Sequence, residues 1–74
     1  MTIQEQIALA VNGDVKQAKS LCIFMNGTKA WDDPEYRRLI KRGIDNSTDA
    51  SIFGQYVAKI YPILMAEARK EGLG

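Results

Sequence analysis

Three oxygen-bearing side chains at alternate positions give this chain its most metal-like pattern. Asp45, Ser47 and Asp49 have the spacing of the first three ligands of an EF-hand calcium loop. The pattern then fails, because the sixth position is Ala50 where the loop needs glycine, and the twelfth is Tyr56 where it needs a bidentate glutamate. We therefore expect no calcium site at this loop.

A second acidic group, formed by Asp32, Asp33 and Glu35, has the oxygen ligands that magnesium prefers. All three residues come where a helix is predicted to begin. Acidic side chains there cap the first turn and favour the positive end of the helix dipole, which accounts for all three without an ion. We predict that the protein holds no metal and no cofactor.

Nucleophilic catalysis lacks its usual partners in this chain. The sequence contains no histidine and one cysteine, Cys22. Ser20 and Cys22 are the nucleophiles of the second predicted helix, and neither has a plausible general base nearby in sequence. Apolar neighbours indicate that Cys22 is a small buried core residue. We predict that the protein is not an enzyme.

Basic side chains cluster on the third predicted helix, on the side away from its apolar residues. The cluster consists of Arg37, Arg38, Lys41 and Arg42. Arginine presents a planar fork that fits carboxylate and phosphate oxygens, so one hypothesis is a contact with an acidic protein or a phosphate. The other interpretation is a solvated face whose cations favour the C-terminal end of the helix dipole.

Nucleic-acid binding through these same cations is the alternative functional hypothesis. A recognition helix usually contacts bases through its N-terminal residues, but here Asp32, Asp33 and Glu35 would repel phosphates. The linker from Asn26 to Trp31 is also longer than the usual turn of a helix-turn-helix. The net charge of +1 adds no general attraction to nucleic acid.

Large apolar side chains are more numerous than short helices easily cover. Ile23 and Phe24 fall outside the apolar stripe of the second helix, Trp31 precedes the third, and Tyr61 belongs to the wide apolar face of the last helix. Aromatic residues are typical of protein interfaces. We expect these four residues to form an interface with a partner or a second copy, the alternative being a well-filled core.

Two helices should begin the chain as a hairpin. Thr2 to Glu5 forms a capping box, and Asn12-Gly13 is a typical helix end. Asp14 follows immediately as a second cap, with Gln17 placed to complete a second capping box. A turn this short makes the two helices antiparallel.

The hairpin has a limited likeness to a known repeat. The stretch Ala8 to Leu21, ALAVNGDVKQAKSL, resembles the hairpin part of one ankyrin repeat. No second copy follows, and solenoids need several repeats. We interpret the likeness as shared turn chemistry.

The third helix should be short. Asp32 or Asp33 is predicted as its cap, with Pro34 in the first turn. If Asp32 is the cap, Trp31 and Tyr36 occupy the two positions of a hydrophobic staple. The helix is expected to end at Gly43, closed by a Schellman motif.

The last helix should be the longest and the central packing element. Its apolar face comprises Ile52, Phe53, Tyr56, Val57, Ile60, Tyr61, Ile63, Leu64 and Ala68. Pro62 lies within it and should bend the helix without ending it. Gly54 is expected to mark a loose first turn.

These patterns predict an all-α fold. We expect residues 1–74 to form a single compact four-helix domain, with an N-terminal αα-hairpin, a short basic third helix and a long kinked C-terminal helix. The N-terminal segment has neither the basic region of a signal peptide nor an apolar run long enough to span a membrane, which favours the cytoplasm.

The resulting functional hypothesis is a small intracellular module for protein-protein interaction. Such a chain would act as a regulator or inhibitor by occupying a partner surface, or would pair with itself as a homodimer. Small helical regulators encoded by phages and mobile elements offer an analogy for this role.

Overall fold

The computed structural model describes residues 1–70, apart from the side chain of Ala68, which therefore lies outside the test of the predicted apolar face. In this range the helices are α1 (Ile3–Val11), α2 (Val15–Asn26), α3 (Pro34–Arg42) and α4 (Ser47–Lys70). A 3-10 turn, Lys29–Asp32, joins α2 to α3. The described residues contain four α-helices and no strand, which confirms the predicted all-α fold class.

The turn between α1 and α2 closes as a Schellman motif. The amide of Gly13 donates to the carbonyl oxygen of Ala10 at 2.9 Å, and the amide of Asp14 donates to that of Leu9 at 3.0 Å. Gly13 has a φ of 98°, a backbone angle that residues other than glycine rarely adopt. This turn fixes the predicted hairpin of α1 and α2.

Only one of the two predicted capping boxes is complete. At α1, Thr2 and Glu5 exchange both hydrogen bonds, at 3.1 and 3.2 Å. At α2, the side chain of Asp14 accepts the amide of Gln17 at 3.0 Å, but the reciprocal bond is absent among the described residues. The reason is competition, because the Asp14 amide already donates to the end of α1.

The cap of α3 is Asp33, one of the two aspartates predicted for this position. The 3-10 turn Lys29–Asp32 includes Asp32, and the amide of Asp33 donates to the carbonyl oxygen of Ala30 at 2.9 Å. The Asp33 side chain accepts the amide of Glu35 at 2.9 Å. Asp32 is not the cap because the linker folds into its own turn.

The Schellman motif predicted at the end of α3 is also wrong. The amide of Gly43 donates to the carbonyl oxygens of Ile40 and Leu39, at 3.1 and 3.2 Å. Gly43 has φ 92° and ψ 161°, far from the ψ of about 47° that a left-handed helical residue has. The chain therefore leaves α3 in an extended direction, and Ile44 is still buried.

α4 supplies core residues mainly through its first half. The buried residues of α4 are Ala50, Phe53, Gly54, Tyr56 and Val57. Beyond Val57 no side chain that the structure describes in α4 is buried, although Ile60, Tyr61 and Leu64 pack partly against the core. The helix continues through Pro62 to Lys70, so the proline does not end it; the bend stays a prediction.

Gly54 marks a close helix crossing and not the loose turn that its sequence position suggests. It is buried where α4 meets the end of α1, and a Cβ atom placed there would lie 2.6 Å from the carbonyl carbon of Ala10. Nearby, the hydroxyl of Ser51 donates to the carbonyl oxygen of Val11 at 2.8 Å. The absence of a side chain lets the two backbones approach.

The centre of the core is aromatic. Tyr36 of α3 is fully buried, and its ring centroid lies 6.0 to 6.1 Å from those of Trp31, Phe53 and Tyr56. These separations are typical of favourable tilted and edge-on ring pairs. Trp31 and Tyr36 are therefore in contact, but with Asp33 as the cap they do not occupy the two positions of a hydrophobic staple.

Two buried tyrosine hydroxyls join the helices. The single hydroxyl hydrogen of Tyr36 is shared between the carbonyl oxygen of Cys22, at 3.2 Å, and the side-chain oxygen of Asn26. The hydroxyl of Tyr56 donates to the carboxylate of Asp33 at 2.9 Å. Burial raises the pKa of both tyrosines well above the ordinary range, with further contributions from Cys22 at Tyr36 and from Asp33 at Tyr56. Both groups therefore stay protonated donors at neutral pH.

Candidate interaction surface

The predicted cationic face of α3 is exposed, but it consists of two pairs. All four members, Arg37, Arg38, Lys41 and Arg42, are exposed. Residues four apart lie on the same side of a helix, so Arg37 pairs with Lys41 and Arg38 pairs with Arg42. The two pairs have different surroundings.

The pair on the α4 side is partly engaged within the fold. The Nε of Arg42 donates to the carboxylate of Asp49 at 3.1 Å, and the Asp49 side chain is only 12% exposed. Arg38 lies beside a shallow groove between α3 and α4 that includes Ile52 and Tyr56. Arg42 is therefore better explained as one partner of an ion pair that joins α3 to the start of α4 than as a free binding group.

The pair on the α2 side leaves more charge available. The Nε of Arg37 donates to the carbonyl oxygen of Trp31 at 2.7 Å, while its guanidinium lies 4.0 Å from the exposed carboxylate of Asp32. An exposed pair at that distance contributes little and leaves the cation accessible. Lys41 has no ion pair with a residue that the structure describes.

An apolar groove lies between α2 and α3. We call it the α2–α3 groove; Lys19, Cys22, Ile23, Ile40 and Ile44 line it, and its volume is about 230 Å³. Ile23 is 76% exposed, more than any other large apolar side chain that the structure describes. Most of the lining is thus apolar surface in contact with water.

Cys22 is half-buried in this groove and not enclosed in the core as the sequence suggests. Its Sγ lies 3.9 Å from the hydroxyl of Tyr36. The same hydroxyl reaches the backbone of α2, so α3 touches α2 here through one residue. Beside this contact the two helices leave the groove open.

The four residues predicted as one apolar interface do not form a single patch. Ile23 faces α3 in the groove, whereas the ring of Phe24 lies 6.5 Å from that of Tyr61 in α4. Successive helical residues point about 100° apart, which puts Ile23 and Phe24 on different sides of α2. Trp31, which is 50% exposed, packs its ring edge-on against Tyr36.

The groove is a grouping that sequence reasoning missed. Ile40 and Ile44 are four residues apart, and the apolar neighbours of Cys22 predict a core position for it. Ile23 gave the one available signal, because it stands outside the apolar stripe of α2. Which residues Ile23 faces depends on which helix packs beside α2. That helix is α3, which contacts α2 through Tyr36.

Chemical groups for other kinds of site are sparse in the described part of the chain. Residues 1–70 contain no cluster of three or more histidine, cysteine, aspartate or glutamate side chains that would hold a metal ion. In the same range no helix is long and apolar enough to cross a membrane.

Comparison with known proteins found no family model, no curated protein and no solved structure that matches this chain.

Proposed function

We propose that the protein is a small helical module for protein-protein interaction, which regulates or inhibits a partner by occupying its surface. The observation that supports this function best is the exposed Ile23 in an apolar groove, with Lys19 as the one charged residue of the lining. Burying one such side chain contributes about 1.5 to 3 kcal/mol to an interface. Neighbouring charges add specificity and speed association.

Self-association fits a different side of the molecule. In a symmetric dimer each copy presents the same patch to the other. Phe24 and Tyr61 form an apolar ring pair on the other side of α2, and Met65 lies one turn after Tyr61. A homodimer would therefore use the Phe24 and Tyr61 side.

Nucleic-acid binding has weaker support in this geometry. Arg42 is engaged by Asp49, and Arg37 is bound to the Trp31 carbonyl oxygen. Phosphate contacts weaken steeply with salt, by roughly one unit of logarithmic slope for each cation involved. With Arg42 engaged, binding would depend on Arg37, Arg38 and Lys41, and so few cations give a shallow slope and little affinity.

Capture from a nuclease-treated lysate of the source organism tests the proposed function. The immobilised wild-type protein should retain a protein partner, and Ile23→Asp should lose it, whereas Phe24→Asp, on the other side of α2, should still retain it. Ser20→Asp is the matched control, because Ser20 is exposed on the same helix and gains the same charge. Circular dichroism establishes that each variant is folded.

Two results would contradict the proposal. Retained material that disappears with nuclease would indicate nucleic acid, and equal retention by Ile23→Asp, Phe24→Asp and Ser20→Asp would show that the apolar side chains do not bind. Light scattering over a concentration series addresses self-association: the wild type should show a dimer mass that Phe24→Asp converts to a monomer mass.

A further inference from the structure

We propose that a second groove, between α4 and the 3-10 turn, binds a basic amphipathic helix of another protein. We call it the α4 groove; its volume is about 380 Å³, and it is lined by Lys29, Ala30, Asp32, Asp33, Ile60, Ile63, Leu64 and Glu67. Its described lining shares no residue with the α2–α3 groove. The inference therefore goes beyond the proposed function and adds a second surface to the molecule.

The α4 groove follows from the length of α4. Its 24 residues span about 36 Å, whereas the other helices have 9 to 12 residues and span about 14 to 18 Å. The first half of α4 supplies its buried residues, and at this groove the second half has the short turn Lys29–Asp32 beside it. Apolar side chains of the second half are therefore left partly open to water.

Ile63 is the apolar side chain that the groove offers to a partner. It is 55% exposed, whereas Ile60 and Leu64 are half-buried and pack partly against the core. Positions 60, 63, 64 and 67 have the i, i+3, i+4, i+7 spacing that puts them on one face of a helix. A row with this spacing accepts the side-chain ridge of a second helix, which is a recurring mode of recognition.

Negative charge predominates in the lining. In its described part, the carboxylates of Asp32, Asp33 and Glu67 accompany one ammonium group, that of Lys29. Asp32 ends the turn and Asp33 follows it, whereas Glu67 belongs to α4, so acidic groups lie on both walls. Arg37, at 4.0 Å from Asp32, offsets part of this charge. An occupant with lysine and arginine at its flanks complements the remainder.

The three carboxylates have different parts in this scheme. Asp33 supplies a fixed charge, because its two oxygens accept the amide of Glu35 and the hydroxyl of Tyr56. Asp32 and Glu67 are exposed, so their carboxylates can reach the cations of a partner. Such contacts at the rim of an interface act mainly on specificity and on the rate of association.

Phosphate-bearing partners do not suit this groove. Nucleic acids and anionic lipid headgroups both present negative charge, which the three carboxylates of the lining would repel. The complementary ligand is therefore a polypeptide that carries cations beside apolar side chains.

A second copy of this chain is a poorer occupant. Ile63 and Met65 are the large apolar side chains exposed in the described second half of α4, and they point about 200° apart. One face of a second α4 would therefore offer one of the two. In a symmetric pair the groove would also face its own set of three carboxylates and one ammonium group.

A displayed library of helical peptides tests the proposal. Every peptide has the same leucine face, and its flanking positions are randomised among Lys, Gln and Glu. Selection on the wild-type chain, after removal of peptides that also bind Ile63→Ser, should enrich Lys at the flanks. Flanks that stay random or favour Glu, or a library without a binder, would overturn the basic helical occupant.

Methyl NMR locates the selected peptide. The α4 groove contains Ile60, Ile63 and Leu64, whereas the α2–α3 groove contains Ile23, Ile40 and Ile44. Bound peptide should shift the methyl resonances of the first set and leave those of the second set unchanged. Shifts confined to the second set would overturn the proposal.

Ile63→Ser and Met65→Ser form a matched pair. Both remove an exposed apolar side chain from the same turn of α4, but Met65 is not part of the lining. Ile63→Ser should weaken peptide binding by about tenfold, and Met65→Ser should weaken it far less. Equal losses in two variants that circular dichroism shows to be folded would overturn the proposed site.

Charge exchange tests the acidic walls. Glu67→Lys should weaken binding of the Lys-flanked peptide by about tenfold, and a peptide with Glu at the facing flank should restore it. Asp45→Lys is the control, because Asp45 is exposed and outside the lining and undergoes the same change of charge. Equal losses in the two variants would indicate attraction to net charge and would overturn the placement of the flanks.

Two further results would assign the groove to another occupant and overturn the proposal. A dimer mass that becomes a monomer mass in Ile63→Ser but not in Met65→Ser would indicate a second copy. An oligonucleotide that shifts the methyl resonances of Ile60, Ile63 and Leu64 would indicate nucleic acid.

Ile23→Asp separates this inference from the proposed function. Because Ile23 lies in the other groove, this variant should bind the selected peptide as tightly as the wild type does. Failure of the selection, together with Ile23-dependent capture of a partner from lysate, would refute this inference alone. Peptide binding that depends on Ile63 and Glu67 would support it even where Ile23→Asp and the wild type capture equally.

Discussion

Asp33 joins two helices through its two carboxylate oxygens. Oδ1 accepts the amide of Glu35 at the start of α3, and Oδ2 accepts the hydroxyl of the buried Tyr56 from α4. Asp33→Ala removes the cap and leaves that hydroxyl without its acceptor. We expect the free energy of unfolding to fall by about 2 to 4 kcal/mol, measured by urea denaturation.

Asp32→Ala is the control for this prediction. The Asp32 side chain is 83% exposed and lies 4.0 Å from Arg37, so its removal should cost less than about 1 kcal/mol. Combining Asp33→Ala with Tyr56→Phe should cost less than the sum of the single changes, because both remove one hydrogen bond. Equal effects of Asp32→Ala and Asp33→Ala would contradict the assignment of the cap.

At the scale of the element, the crossing of α1 and α4 depends on Gly54. Alanine is favoured over glycine within a helix by about 1 kcal/mol, so propensity alone predicts that Gly54→Ala stabilises the protein. Its Cβ would lie 2.6 Å from the carbonyl carbon of Ala10 and 2.9 Å from its Cβ. We therefore expect a net loss of about 1 to 3 kcal/mol, measured by thermal or urea unfolding.

Gly27→Ala provides the comparison at another glycine. Gly27 has a φ of −89°, and an added Cβ would meet only the carbonyl oxygen of Phe24, at 3.6 Å. This substitution should be nearly neutral. A stabilising effect of Gly54→Ala would show that α1 moves aside at little cost.

Helix positions were largely predictable, whereas the details of their ends were not. Capping side chains act over three or four residues, so Thr2 and Asp14 identify the starts of α1 and α2 from sequence alone. The Asp14 amide could donate to the Gln17 side chain or to the end of α1, and it donates to the carbonyl oxygen of Leu9 in α1. Which aspartate caps α3 depended on whether the preceding linker would form a turn of its own.

At the scale of the whole molecule, the candidate site was predictable in its residue types but not in its grouping. Exposure of Ile23 and the α3 cations follows from their positions outside the apolar stripes, whereas the linker position of Trp31 does not distinguish core from surface. Which of them face each other depends on the packing of α3 against α2, set by the contact of Tyr36 with Cys22. Contacts between residues that far apart in sequence have no local signal.

The distribution of buried residues along α4 has a consequence for amide hydrogen exchange. Its first half is anchored between Ala50 and Val57, whereas the described side chains beyond Val57 are exposed or half-buried. Pro62 lacks the amide that would normally bond to the carbonyl of Ala58, so the second half starts with one bond fewer. Opening this half exposes little apolar surface and costs less free energy than unfolding the whole domain.

Deuterium exchange at native pH should therefore divide α4 into two parts. Amides from residues 63–70 should exchange through local opening, at least about tenfold faster than those of residues 53–57, which exchange only when the core opens. Uniform protection along the helix would show instead that α4 opens as one cooperative unit. The graded result would mean that the domain can release the end of its longest helix while its core, and the groove beside α2, stay intact.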